Sequence, residues 1–562
     1  MGSLELQASS DLTGVVWHSI NWAGCHRRVR SLQRRIVQAV QAGAWRKAKR
    51  LSYVLVHSFS ARALAVKRVT ENQGKKTPGM DGELWETPEK KAAGVERIQR
   101  WRGYRPVPLK RIYIPKKNGK QRPLSIPALE DRARQALWLQ ALQPIAETQA
   151  DPNSYGFRPR RQCADAIEQC FKALCQRTSP TWILEGDIEG FFDHIAFSWI
   201  ENHIPMNPRV LGKWLRSGFI DQGTLYPTGA GVPQGGIISP VISNQVLDGL
   251  EAVVHGNATE RRVHQIHYIR WADDFIVTAN SREVLEQTVL PRINTFLAER
   301  GVRLSPSKTL ITPIDQGFDF LGQTIRKYPR PNGKPAKLQI SPSKASLQAI
   351  KTRINTLCRQ TKGASPNKLI DTLNPILRGW ANYHRHVNSA GTFSRLDNYL
   401  WRRLYRWVTY RHPNKTGRWI AQHYFSHQKG KAWWFTDPAT GKQLIRVQAT
   451  VKTQRHVKIR AQANPFDREW DGYFQHRDRQ RTRKASSGFR AAVLDRQQGL
   501  CPGCRQVIQV DEDIDLHHRD GNHQNNHIGN LVLLHPNCHR QLHYAPVDRT
   551  ESPRPGKGVG QA

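Results

Sequence analysis

The sequence predicts a multidomain α+β protein. Its 562 residues exceed what one hydrophobic core organises, so roughly two to four domains are expected. Short apolar runs at Thr181–Asp193 and Tyr268–Val277 have the pattern of strands that end in turns, whereas basic stretches with helical spacing lie at about 26–70 and beyond 335. Closely spaced cysteines and histidines near the C-terminal end predict an additional small module that a metal stabilises.

The charge balance indicates a polyanionic partner. The chain has 86 Lys and Arg against 45 Asp and Glu, a formal net charge of +41, and nucleic acid would relieve the resulting self-repulsion. No apolar run approaches the roughly 20 residues of a membrane-spanning helix, so no membrane partner is expected. The first residues lack the layout of a signal or transit peptide, and the eight scattered cysteines argue against a disulfide framework. These features together predict a cytoplasmic protein, in a bacterial cytosol and associated with the nucleoid.

Two adjacent carboxylates define the first candidate site. Asp273 and Asp274 lie between two apolar runs, so we expect a strand, a tight turn and a second strand with both carboxylates at the tip. Neighbouring anions beside buried strands are costly unless a cation neutralises them, and oxygen ligands that face phosphate suit Mg²⁺. The alternative is a solvated Asp-Asp turn without a metal.

A third carboxylate and a glycine-rich loop extend this pattern. Asp187 ends another apolar strand, where a two-metal phosphoryl-transfer site needs a bridging ligand. The loop Gly231–Gly236 contains glycines that allow the backbone to approach a ligand closely. In order and spacing, these segments resemble the palm of the group II intron-encoded proteins, which combine reverse transcriptase and maturase. The resemblance covers nearly the whole chain.

The resemblance implies roles for individual residues of the polymerase. Asp187, Asp273 and Asp274 would hold two Mg²⁺ ions, and a fingers hairpin around Asn118-Gly119 would grip the nucleotide triphosphate, with a solvated basic hairpin as the alternative. Trp271 stands where the family usually has Tyr. Polymerase activity is still expected, because every carboxylate is present, and nucleotide selection is the property that the change would affect. The implied nucleotide-binding residues are Lys116 and Arg122 on the triphosphate, Phe192 under the sugar, Gln234 on the nucleotide, and Lys308, either a proton donor to pyrophosphate or an ordinary surface lysine.

A basic, helical region follows the Pro/Gly-rich connection Tyr328–Pro335. Within it, Leu373–His384 closely resembles the family's maturase signature in the thumb. Interleaved aromatic and arginine side chains can stack on bases and pair with phosphates, although the aromatics alternatively form the thumb core. A further basic zone at 452–460 and 480–484 resembles the family's DNA-binding region. The implied RNA-binding residues are Arg378, Trp380, Tyr383, Arg385, Arg402 and Arg403.

Two Cys/His pairs mark the C-terminal module. Cys501, Cys504, His535 and Cys538 have the spacing of zinc ligands, and thiolates with imidazole suit tetrahedral Zn²⁺. Within this framework the sequence resembles an HNH (ββα-metal) nuclease, although the family more often has Cys at 535. A zinc finger without catalysis is the alternative, and which histidine serves which metal stays open. The resemblance implies that His517, His539 and His543 bind Mg²⁺ or another divalent ion, that His518 is the general base, and that Asn530 orients its loop.

These interpretations predict one multifunctional protein. It would bind group II intron RNA, target DNA and deoxynucleoside triphosphates, assist splicing, nick target DNA and copy intron RNA by target-primed reverse transcription. The alternatives are an RNA-binding splicing maturase without polymerase activity and a reverse transcriptase of another retroelement class; the oligomeric state is left open. The predicted domains are an N-terminal basic helical extension (1–70), reverse transcriptase fingers and palm (71–328), a thumb or maturase (X) domain (329–430), a basic DNA-binding region (431–485), an HNH endonuclease (486–550) and a disordered tail (551–562).

Overall fold

The computed structural model describes residues 16–115, 119, 121–332, 334–428, 431–485, 489–508 and 514–544. Lys116, which is predicted to bind the triphosphate, and the predicted tail at 551–562 therefore lie outside the described residues. Helices and strands are mixed throughout, which confirms the α+β composition. The chain forms two compact units. Unit 1 is drawn from Met1–Ala150, Gly190–Leu247 and Ala463–Ala562, and unit 2 from Asp151–Glu189 and Asp248–Gln462.

Helices dominate the N-terminal part of unit 1, as predicted for 26–70. Their starts follow local signals, since the side chains of Asn21, Ser58 and Thr87 accept hydrogen bonds from first-turn N–H groups. Single turns of 3₁₀ helix lie at Trp17–Ser19 and Gln73–Lys76. The elements up to residue 150 are α1 (Trp22–Gln41), α2 (Trp45–His57), α3 (Phe59–Glu71), α4 (Pro88–Arg97), β1 (Leu109–Pro115), β2 (Gln121–Ile126) and α5 (Leu129–Gln149).

Helix α5 differs from the expectation that sequence periodicity gives. The four-residue spacing of apolar positions from Leu129 to Ala141 predicts an amphipathic helix, but α5 is buried on nearly every side. Its charged side chains find partners inside the protein. The Tyr104 hydroxyl donates to Asp131 at 2.5 Å, and buried Arg134 donates to backbone carbonyls of the preceding segment. Residue type alone does not distinguish charged side chains that have partners inside the protein from charged side chains on a solvated helix face.

The next segments contribute to both units. Unit 2 takes α6 (Cys163–Leu174) and β3 (Trp182–Gly186). In unit 1 a four-stranded sheet has the order β2-β1-β4-β5, with β1 and β4 parallel and the outer pairs antiparallel. The unit 1 elements of this region are α7 (Phe191–His194), α8 (Phe197–His203), α9 (Pro208–Leu215), β4 (Phe219–Asp221), β5 (Thr224–Tyr226) and α10 (Ser239–Leu247).

Unit 2 contains a second four-stranded sheet, which is antiparallel and has the order β6-β7-β3-β8. A three-stranded antiparallel sheet, β11-β10-β9, belongs to the same unit. The elements are α11 (Leu250–His255), α12 (Ala258–Val263), β6 (His267–Trp271), β7 (Asp274–Ala279), a π-helical turn (Val284–Val289), α13 (Leu290–Ala298), β8 (Leu310–Pro313), β9 (Phe318–Phe320), β10 (Gln323–Tyr328) and β11 (Lys337–Pro342).

The Pro/Gly-rich stretch Tyr328–Pro335 has a different role from the predicted one. Tyr328 pairs with Lys337 across β10 and β11, so the stretch is the loop of a hairpin rather than a connection between separate parts. Turn-forming residues are expected both in a hairpin loop and in a connection between domains. Composition alone therefore did not distinguish the two.

Helices make up most of the remainder of unit 2. Ser343, Ser365 and Thr416 each accept a hydrogen bond from the first turn of the helix that follows. The apolar faces of these helices meet in one core that includes Leu373, Leu377 and Phe393. The elements are α14 (Lys344–Gln360), α15 (Pro366–His384), α16 (Ala390–Arg411), α17 (Gly417–Tyr424), β12 (Phe425–Gln428), β13 (Lys431–Phe435) and α18 (Val447–Thr450).

The C-terminal part of unit 1 is a small module built on a two-stranded sheet. Short 3₁₀ turns lie at Arg468–Trp470 and Ile528–Asn530. Across the described part of the chain, no helix has the length and apolar character that crossing a membrane requires. The elements are α19 (Asp471–Ala485), α20 (Phe489–Arg496), β14 (Asp515–His518), β15 (Leu531–Leu534) and α21 (Pro536–Tyr544).

Candidate functional sites

Strand pairing in unit 2 brings the three predicted carboxylates to one edge of the sheet. Trp271 pairs with Asp274 across β6 and β7, which leaves Asp273 in the turn between them. The pairing of β3 with β7 runs up to Gly186 opposite Phe275. Asp187 is the next residue on one strand and Asp274 is the next on the other, so they continue the same register. Opposed residues of antiparallel strands have Cα atoms roughly 5 Å apart.

Two glycines make this arrangement possible. A Cβ on Gly186 would lie 2.2 Å from the Phe275 ring, so only glycine lets β7 pair here. A Cβ on Gly156 would lie 2.4 Å from the backbone nitrogen of Ala272, the turn residue with φ of 57°. The segment around Gly156 thus supports the hairpin through its backbone.

A buried ion pair that sequence reasoning missed lies behind the hairpin. Arg270 is fully buried, and its Nη2 donates to Asp248 Oδ1 at 2.5 Å. Burial raises the pKa of Asp248 to about 6, although Arg270 opposes this shift. The backbone N–H of Arg270 donates to Asn153, and its carbonyl accepts from Tyr155 at 2.9 Å. The sequence did not indicate that Arg270, which lies close to Asp273 and Asp274 in the chain, is buried, because arginine is usually exposed.

The carboxylate cluster is electrostatically strained, and the Lys308 ammonium is a cation that compensates part of its charge. The Lys308 ammonium lies 2.8 Å from Asp187 Oδ2, and this contact with Asp187 raises the pKa of Lys308. Loss of hydration, then repulsion from Asp273 and Asp187, raises the pKa of Asp274 to about 6. Three carboxylates offering only oxygen atoms fit the ligand preference of Mg²⁺, and a divalent ion would relieve the repulsion that one ammonium offsets in part.

Proton competition at Asp274 leads to a pH prediction. Above about pH 6 the carboxylate is ionised and ready to bind metal, whereas below that value a metal must displace its proton. We therefore expect the Mg²⁺ concentration for half-maximal primer extension to be constant from pH 8 to 7. Between pH 5.9 and 5 it should rise, approaching about tenfold per pH unit for one displaced proton. Half-saturation is measured rather than rate, because pH also alters the chemical step. Equal half-saturation at pH 5.5 and 7.5 would contradict the assignment.

The predicted nucleotide-binding residues of unit 1 meet around the loop at 231–236. Arg122, on β2, donates from Nε to Gln234 Oε1 at 3.1 Å. The Gln234 carbonyl accepts from Ser125 N at 2.7 Å, which fixes the loop against the same strand. Phe192 is half-buried, and its carbonyl accepts from Val232 N at 2.7 Å. Unit 1 therefore groups Arg122, Phe192 and Gln234, while Asp187, Asp273, Asp274 and Lys308 belong to unit 2.

The maturase-like helix α15 combines packing and exposed residues. His384 is buried between Gln323 Nε2 (2.7 Å) and Ser346 Oγ (2.9 Å), and burial lowers its pKa to about 4, so it is a neutral core residue. Trp380 packs against the helical core and donates to Ser346 at 3.2 Å. Tyr383 is 42% exposed while its hydroxyl donates to the Leu321 carbonyl. The His384 ring contacts the rings of both Trp380 (4.6 Å between centroids) and Tyr383 (4.9 Å), so the three aromatic side chains lie on one side of α15, which β10 and α14 cover in part.

The predicted RNA-contacting arginines differ in exposure. Arg378 and Arg402 are exposed, whereas Arg403 and Arg385 are half-buried. Arg385 Nη2 donates to Gln454 Oε1 at 3.0 Å, which ties the helix end to the basic stretch 452–460. Arg378 and Arg402 are therefore the most accessible members of the set.

The four predicted zinc ligands converge in the C-terminal module. Cys501, Cys504, His535 and Cys538 each offer a ligand atom, all within 4.8 Å of one another. The Cys504 sulfur lies 3.3 Å from His535 Nδ1. Hydrogen bonds with Cys504 and Cys538 lower the pKa of the Cys501 thiol, so the cluster readily holds a thiolate. Three sulfurs and one imidazole in this geometry suit tetrahedral Zn²⁺.

A second cluster consists of His517, His539 and His543, whose ligand atoms also lie within 4.8 Å of one another. His539 and His543 are one turn apart on α21, with Nε2 atoms 3.0 Å apart. Burial, then the neighbouring imidazoles, lowers the pKa of His517, which favours the neutral, metal-binding form. Asp515 Oδ2 lies 3.1 Å from His539 Nδ1 and orients that ring. Sequence reasoning missed Asp515, although period-two alternation places it on the same strand face as His517.

His518 and Asn530 lie beside this cluster. His518 is buried, and its Nε2 is 3.4 Å from Asn526 Oδ1. Asn530 holds the loop that follows His518, because its side chain donates to Asp520 Oδ1 (2.8 Å) and to the Asn525 carbonyl (2.9 Å). Its carbonyl also accepts from Arg519 N at 2.9 Å. The structure gives Asn530 contacts that fix the loop rather than the histidine ring.

Helix α21 docks on the N-terminal helices within unit 1. Gln541 Nε2 donates to the carbonyls of His18 (2.9 Å) and Ile20 (3.1 Å). The Asn537 amide, in the orientation that satisfies both partners, donates to Glu71 Oε1 and accepts from Trp22 Nε1 at 3.0 Å. The helix that carries Cys538, a predicted zinc ligand, and two histidines of the second cluster is thereby attached to residues 18–22 and to α3.

Removing the metal from the Cys501 cluster is expected to unfold the C-terminal module and to loosen residues 17–22. Structural zinc sites contribute about 10–16 kcal/mol of apparent binding free energy, which such a small module cannot replace. The measurement is hydrogen exchange of the full chain, with and without a strong chelator, in peptides covering 499–508, 531–544 and 16–24. Cys504→Ser should give the same loss of protection, whereas Cys175→Ser, at an exposed free thiol in unit 2, should not. Unchanged exchange in Cys504→Ser would exclude a structural metal.

Comparisons with protein families assign most of the chain. Residues 17–98 match the N-terminal domain of reverse transcriptase, and residues 114–325 match the reverse transcriptase (RNA-dependent DNA polymerase) family. Residues 347–425 match the group II intron, maturase-specific domain. The second range contains all three carboxylates, and the third contains α15.

Individual relatives agree with the family matches. Protein YkfC of Escherichia coli (strain K12) is 32% identical over 309 residues, which cover 48% of this chain and 81% of YkfC. The group II intron-encoded protein LtrA of Lactococcus lactis subsp. cremoris is 25% identical over 427 residues, 60% of this chain and 70% of LtrA. An uncharacterized 91 kDa protein in the cob intron of Schizosaccharomyces pombe is 26% identical over 365 residues, 51% of this chain and 44% of that protein.

Proposed function

Since the chain belongs to the group II intron-encoded reverse transcriptases and maturases, whose activities are splicing assistance and RNA-directed DNA synthesis, we propose that it combines both with cleavage of target DNA. Its RNA partner is the group II intron that encodes it, and its small substrates are deoxynucleoside triphosphates. After the intron RNA inserts into one DNA strand, the C-terminal module nicks the other. The freed 3′-hydroxyl then primes synthesis of cDNA on the intron RNA.

The register of β3 and β7 is the observation that carries the polymerase assignment. It continues Asp187 opposite Asp274, with Asp273 in the adjoining turn, and this supports a shared metal site. Mg²⁺ held by these carboxylates would supply the charge that activates the primer 3′-hydroxyl and stabilises the departing pyrophosphate. The three carboxylates supply oxygen ligands to the metal. Lys308, whose ammonium lies 2.8 Å from Asp187, donates a proton to pyrophosphate.

The nucleotide is held by residues of the fingers and of the loop at 231–236. Lys116 and Arg122 pair with the triphosphate, because lysine and arginine match phosphate oxygens. Phe192 packs under the sugar and excludes a 2′-hydroxyl by its bulk. Gln234 contacts the nucleotide, and its hydrogen bond to Arg122 supports a common task for the two side chains.

The thumb and the basic region bind nucleic acid. Arg378, Trp380, Tyr383, Arg385, Arg402 and Arg403 contact intron RNA, and the exposure of Arg378 and Arg402 supports phosphate contacts by these two. We assign 1–70 to the N-terminal extension, 71–328 to fingers and palm, 329–430 to the thumb or X domain, 431–485 to DNA binding, 486–550 to the nuclease and 551–562 to a tail.

The C-terminal module is an HNH-type nuclease with two metal sites. The Cys501 cluster would hold a structural zinc ion, and the histidine cluster would hold a divalent ion that could polarise the scissile phosphate. His518 takes a proton from the attacking water, and the contacts of Asn530 within the following loop hold that histidine in place. This proposal accounts for a histidine cluster that a purely structural zinc finger would not need.

Three assays on the purified full-length protein test the proposal. Splicing of the intron RNA at low Mg²⁺, primer extension on an RNA template, and nicking of a duplex target with and without intron RNA are measured side by side. The expected result is activity in all three. Splicing without primer extension would instead identify the RNA-binding maturase that lacks polymerase activity. Primer extension without any effect on splicing would favour another class of retroelement.

A further inference from the structure

A concave surface lies in the C-terminal module, and its lining includes none of the candidate metal ligands. It encloses about 420 Å³ and is formed by the end of α20, the loop that carries Cys501 and Cys504, and the residue after β14. Three guanidinium groups from these three separate elements line it. We call it the arginine pocket, and its lining residues are Arg496, Gln497, Leu500, Pro502, Arg505 and Arg519.

The polar groups that the pocket offers to a ligand are hydrogen-bond donors. Gln497 is occupied at both ends, because its Nε2 donates to the carbonyls of Leu500 (2.8 Å) and Leu533 (2.9 Å) and its Oε1 accepts from Leu533 N (3.0 Å). Arg496, Arg505 and Arg519 are exposed, and within the described ranges no carboxylate forms an ion pair with them. Among the residues that the structure describes, the lining contains no acidic side chain. A ligand must therefore be an acceptor and an anion.

The location of the pocket relates it to the nuclease residues. Arg519 directly follows His518, and Arg496 Nη2 donates at 2.7 Å to the carbonyl of Leu531, the residue that pairs with His518 across β14 and β15. The pocket thus begins one residue from the histidine. Arg519 is also two residues from His517, a member of the histidine cluster, so the pocket and that cluster both use β14 or the residue after it.

We propose that the arginine pocket binds phosphodiester groups of the duplex DNA target, next to the phosphate that is cut. This inference rests on the proposed nuclease function and names the contact that holds its substrate. Guanidinium groups alone carry no readout of base identity, so the pocket contributes affinity and register rather than sequence preference. Leu500 and Pro502 add an apolar wall against which a sugar can pack.

The test measures DNA binding by the zinc-loaded full-length protein in the His518→Ala background, so that binding is observed without cleavage. Fluorescence anisotropy with a labelled 20-base-pair duplex is recorded from 50 to 400 mM salt. The test variant is Arg496→Gln/Arg505→Gln/Arg519→Gln, and the matched control loses three exposed arginines elsewhere, Arg177→Gln/Arg209→Gln/Arg282→Gln. Zinc content and thermal unfolding of each variant confirm that the module is folded.

Each phosphate contact contributes about 0.9 to the slope of log affinity against log salt. We expect the pocket variant to lower this slope by about 2 to 3 and to weaken binding at least about tenfold at low salt. The control should change the slope by less than about 1. Replacing the three arginines by lysines should retain most of the slope, because lysine keeps the positive charge. The pocket variant behaving like the control would overturn the proposal.

An RNA duplex of the same length serves as the second arm. An equal loss of RNA and DNA binding would overturn the assignment to target DNA. The proposed nuclease function is tested separately, by comparing nicking of the parent protein with that of His518→Ala. Parent protein that binds DNA through the pocket yet never nicks would remove the nuclease proposal and keep the phosphate site.

Discussion

Asp273→Asn is expected to reduce primer extension on an RNA template by on the order of 10³-fold or more. A carboxylate that holds catalytic metal stabilises the transition state by several kcal/mol, and each 1.4 kcal/mol or so corresponds to a factor of ten. Asparagine keeps the size of the side chain and removes its charge. Because the substitution also relieves repulsion on Asp274, the folded protein should not be destabilised.

The control for this variant is Asp315→Asn, an exposed aspartate of the same unit that lies outside the carboxylate cluster. It should retain full polymerase activity. Splicing assistance should persist in Asp273→Asn, because RNA binding depends on other surfaces. Primer extension within tenfold of the parent protein would show that Asp273 is not a metal ligand, and the proposed polymerase site would have to be abandoned.

His518→Ala is expected to reduce nicking of duplex DNA by about 10²- to 10⁴-fold, the range that a positioned general base contributes. Polymerisation should be unchanged, because the carboxylates belong to unit 2 and His518 to unit 1. The measurement compares nicking and primer extension on the same preparation. His476→Ala, at an exposed histidine on α19, is the matched control and should nick normally.

Three outcomes would contradict the nuclease mechanism. Nicking that survives in His518→Ala would assign the general base to another group. Loss of both nicking and zinc from His518→Ala would indicate a structural histidine instead, so the zinc content of the variant is determined alongside. A parent protein that keeps zinc and binds DNA without nicking it would correspond to the zinc finger without catalysis.

Local patterns predicted the arrangement of several groups of residues in this chain. The alternation around Asp273 predicted the hairpin, the spacing of Cys501 and Cys504 predicted a group of side chains that could hold a metal ion, and the interval between His539 and His543 placed both on one helical turn. In each case, the distance that matters is fixed by a few residues of regular backbone.

Contacts between distant segments could not be predicted in this way. Arg270 and Asp248 are 22 positions apart, and nothing in their types separates a buried ion pair from two surface charges. The partners Gln541 and His18 are 523 positions apart. The inward burial of His384 depends on strands that pack over one side of α15, which helical periodicity does not reveal. Such pairings are decided by packing, after the local elements exist.

The docking of α21 on the start of the chain sets a condition for protein engineering. Shortening the chain to a minimal polymerase by deleting everything after 485 would strip the Trp22 indole and the carbonyls of His18 and Ile20 of partners they now have. The truncated protein would then expose an apolar patch near its N-terminal end and would tend to aggregate on storage. A polar replacement at Trp22 belongs in any such truncated design, whereas the same replacement would harm the intact protein.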